Sequence, residues 1–196
     1  RVVRTLRKAD GLASDSICAI EGTGDGNVFL GARGGGLTRL SPSGEVTRFA
    51  EKDGLLNGTV HALLEDRAGN LWVGTNGAGL FRFDGGRFTR FGRAQGLSIE
   101  IVNTIHEETD GTLWVGTYGG GLNRFRDGLF SAATTREGLF DDAVFAILPD
   151  GQGNLWISCN RGVYAVSLRE LDALARGDAR RVNCRPFGAE DETGYL

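Results

Sequence analysis

The stretch Gly69-Asn70-Leu71-Trp72-Val73-Gly74-Thr75 decides the fold, because it recurs along the chain at a fixed spacing. It returns as Gly111-Thr112-Leu113-Trp114-Val115-Gly116-Thr117, and then as Gly153-Asn154-Leu155-Trp156. Each copy begins fifteen residues after the glycine of a Gly-Leu pair, and these glycines stand 42 or 43 residues apart. The pairs are Gly11-Leu12, Gly54-Leu55, Gly96-Leu97 and Gly138-Leu139. A fixed period of this length predicts an architecture of stacked, similar units.

Each unit contains short runs of β-favouring residues between turn-forming clusters. In the second unit these clusters include Asp66-Arg67-Ala68-Gly69-Asn70 and Asn76-Gly77-Ala78-Gly79. Such alternation is typical of antiparallel strands joined by hairpins, and four strands in about 40 residues is the size of a propeller blade. The 32 glycines suit the many tight turns that this fold needs. The sequence therefore predicts an all-β fold of propeller blades, each with four antiparallel strands.

The period also sets the domain organisation. We expect an outer strand of a preceding blade at residues 1–10, followed by four complete repeats. The predicted blades span residues 11–53, 54–95, 96–137 and 138–196.

The last blade carries an additional segment with helical periodicity. Ser167 and Glu170 have the spacing of a capping box, and Gly177 is a plausible end of a helix. The leucines between them fall on one helical face. We therefore expect a short helix near 168–176 in the outer hairpin, followed by a last strand at 181–187.

Composition excludes several classes of function. The formal net charge is −3, and the 22 basic and 25 acidic residues are interspersed, so no basic patch indicates a nucleic-acid partner. No apolar stretch approaches the 18 or so residues of a membrane span. The three cysteines, Cys18, Cys159 and Cys184, lack the spacing of a metal site. We expect them to be small, buried or half-buried residues rather than members of a disulfide.

The repeated motif is similar to that of a known family. Gly54-Leu55, Val60-His61-Ala62 and residues 65–75 and 79–83 resemble the two-component regulator propeller repeat. The third repeat matches as closely. The first repeat has Phe29 in place of the tryptophan, and the fourth has Ser158-Cys159 where Gly-Thr is usual.

The resemblance implies a sensor module of a bacterial signalling protein, located in the periplasm and coupled to a histidine kinase or diguanylate cyclase output. Propellers of the family usually have more than four blades. We therefore expect an arc of a larger ring, completed by the remaining blades of the parent chain or by a partner such as a second copy. Some members sense carbohydrate fragments, so a carbohydrate ligand is expected here, with no cofactor.

Residues that recur in every repeat are interpreted as framework. A large aromatic residue at one position of each second strand indicates packing between blades, since aromatic side chains dominate core energetics. The framework set is Phe29, Trp72, Trp114, Trp156, Gly69, Gly111 and Gly153. Asp66, Asp110 and Asp150 are expected to fix turns through hydrogen bonds to backbone N–H groups.

Residues that vary between repeats are the better ligand candidates. On a propeller, the loops between second and third strands and the loops between blades emerge on one face. The first set contributes Arg33, Asn76, Tyr118, Asn160 and Arg161, and the second contributes Asp15, Asn57, Glu100, Asp141 and Asp142. Such groups suit a polar ligand such as an oligosaccharide, although a solvated loop role is the alternative for each.

Three functions remain open from the sequence. The first is a non-catalytic sensor, and the second is a structural or dimerisation module. The third is a propeller lyase or hydrolase using Glu100, Asp141 and Asp142 as converging carboxylates. His61 and His106 do not occupy equivalent positions, so no metal site is predicted.

Overall fold

The computed structural model describes residues 5–56 and 58–187, and the strands of this part form four antiparallel sheets of four strands each. One α-helix accompanies them. The predicted all-β fold of four-stranded blades is therefore confirmed.

The strands of each sheet lie in chain order, so every blade is an up-and-down meander. Blade 1 contains β1 (Ile17–Gly22), β2 (Val28–Ala32), β3 (Gly36–Leu40) and β4 (Val46–Phe49). Blade 2 contains β5 (Val60–Glu65), β6 (Leu71–Thr75), β7 (Leu80–Phe83) and β8 (Phe88–Phe91). Blade 3 contains β9 (Val102–Glu107), β10 (Leu113–Thr117), β11 (Leu122–Arg126) and β12 (Leu129–Ala133). Blade 4 contains β13 (Ala146–Pro149), β14 (Asn154–Cys159), β15 (Gly162–Ser167), α1 (Leu168–Arg176) and β16 (Cys184–Phe187).

The turn between the first and second strands is fixed by an aspartate, as predicted. Asp66 Oδ1 accepts hydrogen bonds from the backbone N–H groups of Ala68 (3.0 Å) and Asn70 (2.8 Å). Gly69 has a φ of 80°, which a residue with a side chain rarely adopts. Asp150 makes the equivalent bonds in blade 4, at 2.7 and 3.0 Å.

Each blade begins after a short 3-10 turn. These turns are Lys8–Asp10, Glu51–Asp53, Arg93–Gln95 and Thr135–Glu137. The glycine of the Gly-Leu pair ends the turn in the left-handed region, as Gly54 does at φ 94°. The leucine that follows is then buried, and Leu55 is only 1% exposed. The repeated pair therefore reverses the chain and anchors the start of each blade.

The outer strand predicted for residues 1–10 is absent from its described part. Residues 5–7 carry no strand, and Lys8–Asp10 forms a 3-10 turn. The backbone N–H of Asp10 donates to the Arg7 carbonyl at 2.9 Å, so these residues close a turn rather than extend as a strand. Residues 1–4 lie outside the described part.

The chain divides into two compact units, the first of which holds blades 1 and 2. It comprises the described residues up to Gly92 together with Glu100–Val102. Its core is aromatic: the Phe49 ring lies 5.0 Å from Phe83 and 5.8 Å from Phe88, and Phe29 lies 6.2 Å from Phe83. Phe29 of blade 1 therefore contacts Phe83 of blade 2.

The second unit holds Arg93–Ile99 and the described residues from Asn103 onward. Trp114 of blade 3 joins a buried cluster with Val144, Leu155 and Tyr164 of blade 4. Helix α1 contributes Leu171, which is 2% exposed, to the same cluster. The helix therefore helps to cover blade 3.

The predicted helix is present at Leu168–Arg176 with Ser167 at its N-cap, but the predicted capping box does not form. Ser167 makes no side-chain capping bond, and the Glu170 carboxylate accepts a 2.6 Å hydrogen bond from the backbone N–H of Asn183 rather than from that of Ser167. Gly177 ends the helix at φ 79°, as predicted.

The last strand starts at Cys184 rather than Arg181. The backbone N–H of Val182 donates to the Glu137 carbonyl at 2.7 Å, so this part of the chain is tied to the preceding 3-10 turn instead of pairing within the sheet.

All three cysteines are free thiols. Cys159 is buried and Cys184 is half-buried, but Cys18 is exposed, contrary to the expectation for it. Burial raises the pKa of the Cys184 thiol to about 11.

Candidate functional site

The loops between second and third strands, here called the 2–3 loops, meet the inter-blade loops that lead into the first strand of the next blade. In the first unit, the Glu100 carbonyl accepts hydrogen bonds from Gly77 and Gly79, both at 2.9 Å. In the second unit, the Asp142 carbonyl accepts hydrogen bonds from Gly119 (3.0 Å) and Gly121 (2.8 Å). Within each unit, the two loop classes predicted to share a face therefore lie side by side.

The Glu100 carboxylate is engaged within its own unit. Its Oε1 lies 2.6 Å from Arg90 Nη2, and Arg90 Nε also donates to the Ala78 carbonyl at 2.8 Å. The carboxylate therefore fixes the inter-blade loop to the preceding outer strand, and it is less available to a ligand than the sequence suggested.

Two other acidic candidates brace the inter-blade loop of blade 4. Asp142 accepts hydrogen bonds from the Thr135 backbone N–H at 2.6 Å and from its hydroxyl at 3.1 Å. Asp141 accepts from the Ala143 backbone N–H at 2.8 Å. In blade 1, Asp15 binds the Lys8 backbone N–H at 2.7 Å. These carboxylates hold turns together.

The basic and amide candidates differ in how tightly they are held. Arg161 Nη1 donates to the Phe140 carbonyl at 3.0 Å, and its guanidinium lies 4.1 Å from the centroid of the Phe140 ring. Arg33, Asn76 and Asn160 are exposed on the 2–3 loops. Asn57 lies outside the described residues.

Tyr118 has an exposed aromatic neighbour that the sequence analysis missed. The Tyr118 ring is 50% exposed and lies 6.0 Å from the ring of Phe145, which is 40% exposed. Phe145 precedes β13, where an apolar residue suggests a core position. Its position in the repeat could have revealed it. Phe145 is the aromatic residue at a position, seven residues after the Gly-Leu glycine, where the other repeats carry Cys18, His61 and Asn103.

The tryptophans at the repeated framework position differ in how deeply they are buried. Trp72 and Trp114 are 4% and 2% exposed, whereas Trp156 is half-buried and stacks on Phe187 at 4.6 Å. Trp72 Nε1 donates to Asp66 Oδ2 at 2.7 Å. This bond ties the aromatic framework to the turn that precedes it.

Blade 3 departs from that arrangement. Glu108 occupies the position of Asp66, and Trp114 Nε1 has no hydrogen-bond partner among the described residues. Asp110 stands two residues farther along the turn, where it accepts from the Thr112 backbone N–H at 3.0 Å and pairs with Arg126. The hydrogen bond from Thr112 lowers the pKa of Asp110.

No metal centre is evident in the part of the chain that the structure describes. In residues 5–56 and 58–187, no three His, Cys, Asp or Glu side chains come close enough together to hold a metal ion. Within the same ranges, no helix has the length and apolar character needed to cross a membrane.

Solved structures with a similar fold include signalling proteins and an enzyme. The extracellular domain of the hybrid two component system BT3049 from B. thetaiotaomicron is 17% identical with a TM-score of 0.79, over 89% of this chain and 24% of that one. The extracellular domain of the one component system BT4673 from B. thetaiotaomicron is 18% identical with a TM-score of 0.69, over 91% and 25%. A virginiamycin B lyase from Staphylococcus aureus is 13% identical with a TM-score of 0.66, over 92% and 58%.

At these identities the likeness concerns the fold. The chain spans about a quarter of the length of the first two structures. No curated protein matches the sequence. The model of the two component regulator propeller family matches residues 54–77, 96–119 and 138–161. Blades 2, 3 and 4 therefore each carry a two component regulator propeller repeat.

Proposed function

We propose that this chain is a non-catalytic, ligand-sensing β-propeller segment of a bacterial signal-transduction receptor. The observation that carries the proposal is the propeller repeat in three successive blades, combined with loops whose residues vary between those blades. A repeated scaffold with variable loops is typical of binding proteins, because the scaffold fixes positions while the loops supply recognition. The fold shared with extracellular domains of two B. thetaiotaomicron signalling systems supports the same function.

The same likeness supports an extracytoplasmic location, in the periplasm or outside the cell. The chain covers only 24% of the BT3049 domain, so further blades of a parent chain are the natural completion of the propeller.

The 2–3 loops are the proposed recognition surface, and a polar ligand such as an oligosaccharide is the proposed ligand. Arg33 and Asn160 offer exposed donors and acceptors, and Tyr118 offers an exposed aromatic face. Binding would favour one conformation or association state of the receptor over another, and the ligand's differential affinity would set the size of the response.

The engaged carboxylates support a non-catalytic role. Glu100 is held by Arg90, and Asp142 is held by Thr135, so each carboxylate already has a role in its own loop. The virginiamycin B lyase shares the fold, but a fold does not carry an activity with it. Turnover of any polysaccharide by the full chain, abolished by Asp141→Asn, would contradict this part of the proposal.

The test is a thermal melt of the full chain with a panel of soluble oligosaccharides. A ligand at 100 times its Kd stabilises the folded state by about 2.7 kcal/mol, which raises the Tm of a domain of this size by roughly 5–10 °C. We expect such a shift with one class of glycan and no shift with unrelated glycans at equal concentration. Absence of any ligand-induced shift across the panel would count against sensing by this segment.

One observation favours a second candidate, a structural or dimerisation module. Ile20 on β1 and Leu148 on β13 are 67% and 68% exposed, and both strands are sheet edges that invite pairing. A Tm that rises with protein concentration, and that loses this dependence in Leu148→Lys, would favour that module over the sensor.

A further inference from the structure

The exposed pair Tyr118 and Phe145 differs from the buried aromatic pairs among the described residues. Its rings lie 6.0 Å apart with an interplanar angle of 38°, and they remain 50% and 40% exposed. The Phe29 and Phe83 rings lie at a similar separation of 6.2 Å, but these residues are only 5% and 4% exposed. Burial of large aromatic rings is strongly favourable, so two adjacent rings that stay exposed to water indicate a surface with a binding role.

The scaffold does not require an aromatic pair at these positions. In the first unit, the residues in the corresponding register are Arg33 on the 2–3 loop and His61 on the first strand of the next blade. Blades 1 and 2 nevertheless form the same four-stranded sheets. Backbone contacts hold the Tyr118 loop in place, since Tyr118 forms a β-bridge with Ala143. The two rings are therefore free for a role other than folding.

Two asparagines lie on the elements that adjoin the two rings. Asn103 Nδ2 donates to the carbonyl of Val144, directly before Phe145, at 3.0 Å. The Phe145 backbone N–H donates to the Ser158 carbonyl at 2.9 Å, which places Phe145 beside the strand that leads into exposed Asn160. Aromatic faces flanked by amides match a pyranose ring, which presents apolar C–H faces and a rim of hydroxyl groups.

The charged groups of this region are already engaged. Arg161 binds the Phe140 carbonyl and ring, and Asp141 binds the Ala143 backbone N–H. A ligand at the aromatic pair would therefore meet rings and amides, and the two charged side chains of the region, Arg161 and Asp141, are of opposite sign. These features favour a neutral sugar over an acidic or basic one.

We propose that Tyr118 and Phe145 form a stacking platform for one sugar ring of a neutral oligosaccharide. This inference rests on the proposed function and deepens it, because it assigns the ligand class and adds Phe145 to the recognition surface. The platform lies entirely within the second unit.

The experiment is calorimetric titration of the full chain with neutral hexasaccharides of β-1,4-glucan, α-1,4-glucan and β-1,4-mannan. Phe145→Ala and Tyr118→Ala should each weaken binding of the recognised hexasaccharide about tenfold, the effect expected for loss of an aromatic contact. Tyr118→Phe keeps the ring and should stay within about threefold of the unchanged chain. Leu129→Ala is the matched control, because it removes a 65% exposed apolar side chain from β12 of the same unit and should leave affinity unchanged.

The outcomes separate this inference from the proposed function. A hexasaccharide that binds equally well to the unchanged chain, Phe145→Ala and Tyr118→Ala would overturn the platform and leave the sensor intact. If none of the three hexasaccharides binds while another glycan of the thermal-melt panel still raises the Tm, the neutral-sugar platform falls and the sensor stands. Binding of indole in place of any hexasaccharide would overturn the assignment to sugars. All three substituted side chains are exposed, so equal melting temperatures would confirm that each variant is folded.

Discussion

Replacement of Gly31 by alanine should weaken the packing of blade 1 against blade 2. A Cβ atom at Gly31 would lie 2.6 Å from Val60 Cγ1, 3.0 Å from Val60 Cβ and 3.2 Å from the Val60 carbonyl oxygen. Val60 is fully buried, so it has no open space into which to move. Overpacking of this kind costs roughly 1–3 kcal/mol, equivalent to a fall of about 2–12 °C in Tm for a domain of this size.

The assay is urea denaturation of the full chain, supported by thermal melts. Gly22→Ala is the matched control, because Gly22 lies on the partner strand of the same hairpin and a Cβ there would meet nothing within 4 Å. That variant should be neutral or slightly stabilising, by up to about 1 kcal/mol, since alanine restricts the unfolded chain. The free energy of unfolding should therefore separate the two variants clearly.

A double-mutant cycle identifies Val60 as the cause. Val60→Ala removes the methyl group that the new Cβ would strike, so the Gly31→Ala and Val60→Ala pair should be less destabilised than the sum of the single variants. Contacting residues typically show coupling of about 0.5–3 kcal/mol. Equal stabilities of Gly31→Ala and Gly22→Ala, or strict additivity in the cycle, would refute the proposed packing.

Two further predictions concern tryptophan and a titrating carboxylate. Trp72→Phe should lower the free energy of unfolding by roughly 1 kcal/mol more than Trp114→Phe in chemical denaturation. Of these two tryptophans, only Trp72 has an Nε1 hydrogen bond to lose, the one to Asp66. Equal losses in the two variants would contradict this reason. The Thr134 hydroxyl and backbone N–H lower the pKa of Glu137 below the ordinary glutamate value of 4.5. The stability that the Glu137 carboxylate contributes is therefore complete above that pH and is lost as pH falls through the folded pKa. Glu137→Gln should therefore lose less stability between pH 6 and pH 3 than the unchanged chain, and an identical loss would remove Glu137 as a cause.

The candidate site was only partly predictable. The sequence identified the variable loop positions, but it could not tell which carboxylates already have partners. Glu100 and Asp142 looked like ligand groups, yet both stabilise their own loops. Phe145 was missed because an apolar residue at the start of a strand normally indicates burial, and only the structure reveals its exposed ring beside Tyr118.

The sequence by itself determined the blade. The spacing of the Gly-Leu pairs, the aromatic position and the Asp66 turn are local signals, because hairpins form between strands that are adjacent in the chain. Tertiary structure alone decided the partner of the Glu170 carboxylate and the exposure of Phe145. These depend on residues distant in sequence: Asn183 takes the Glu170 carboxylate from Ser167, and Tyr118 lies beside Phe145. The local sequence pattern determines which strands pair within a blade. The partners and exposure of a side chain depend instead on residues that the fold brings next to it from elsewhere in the chain.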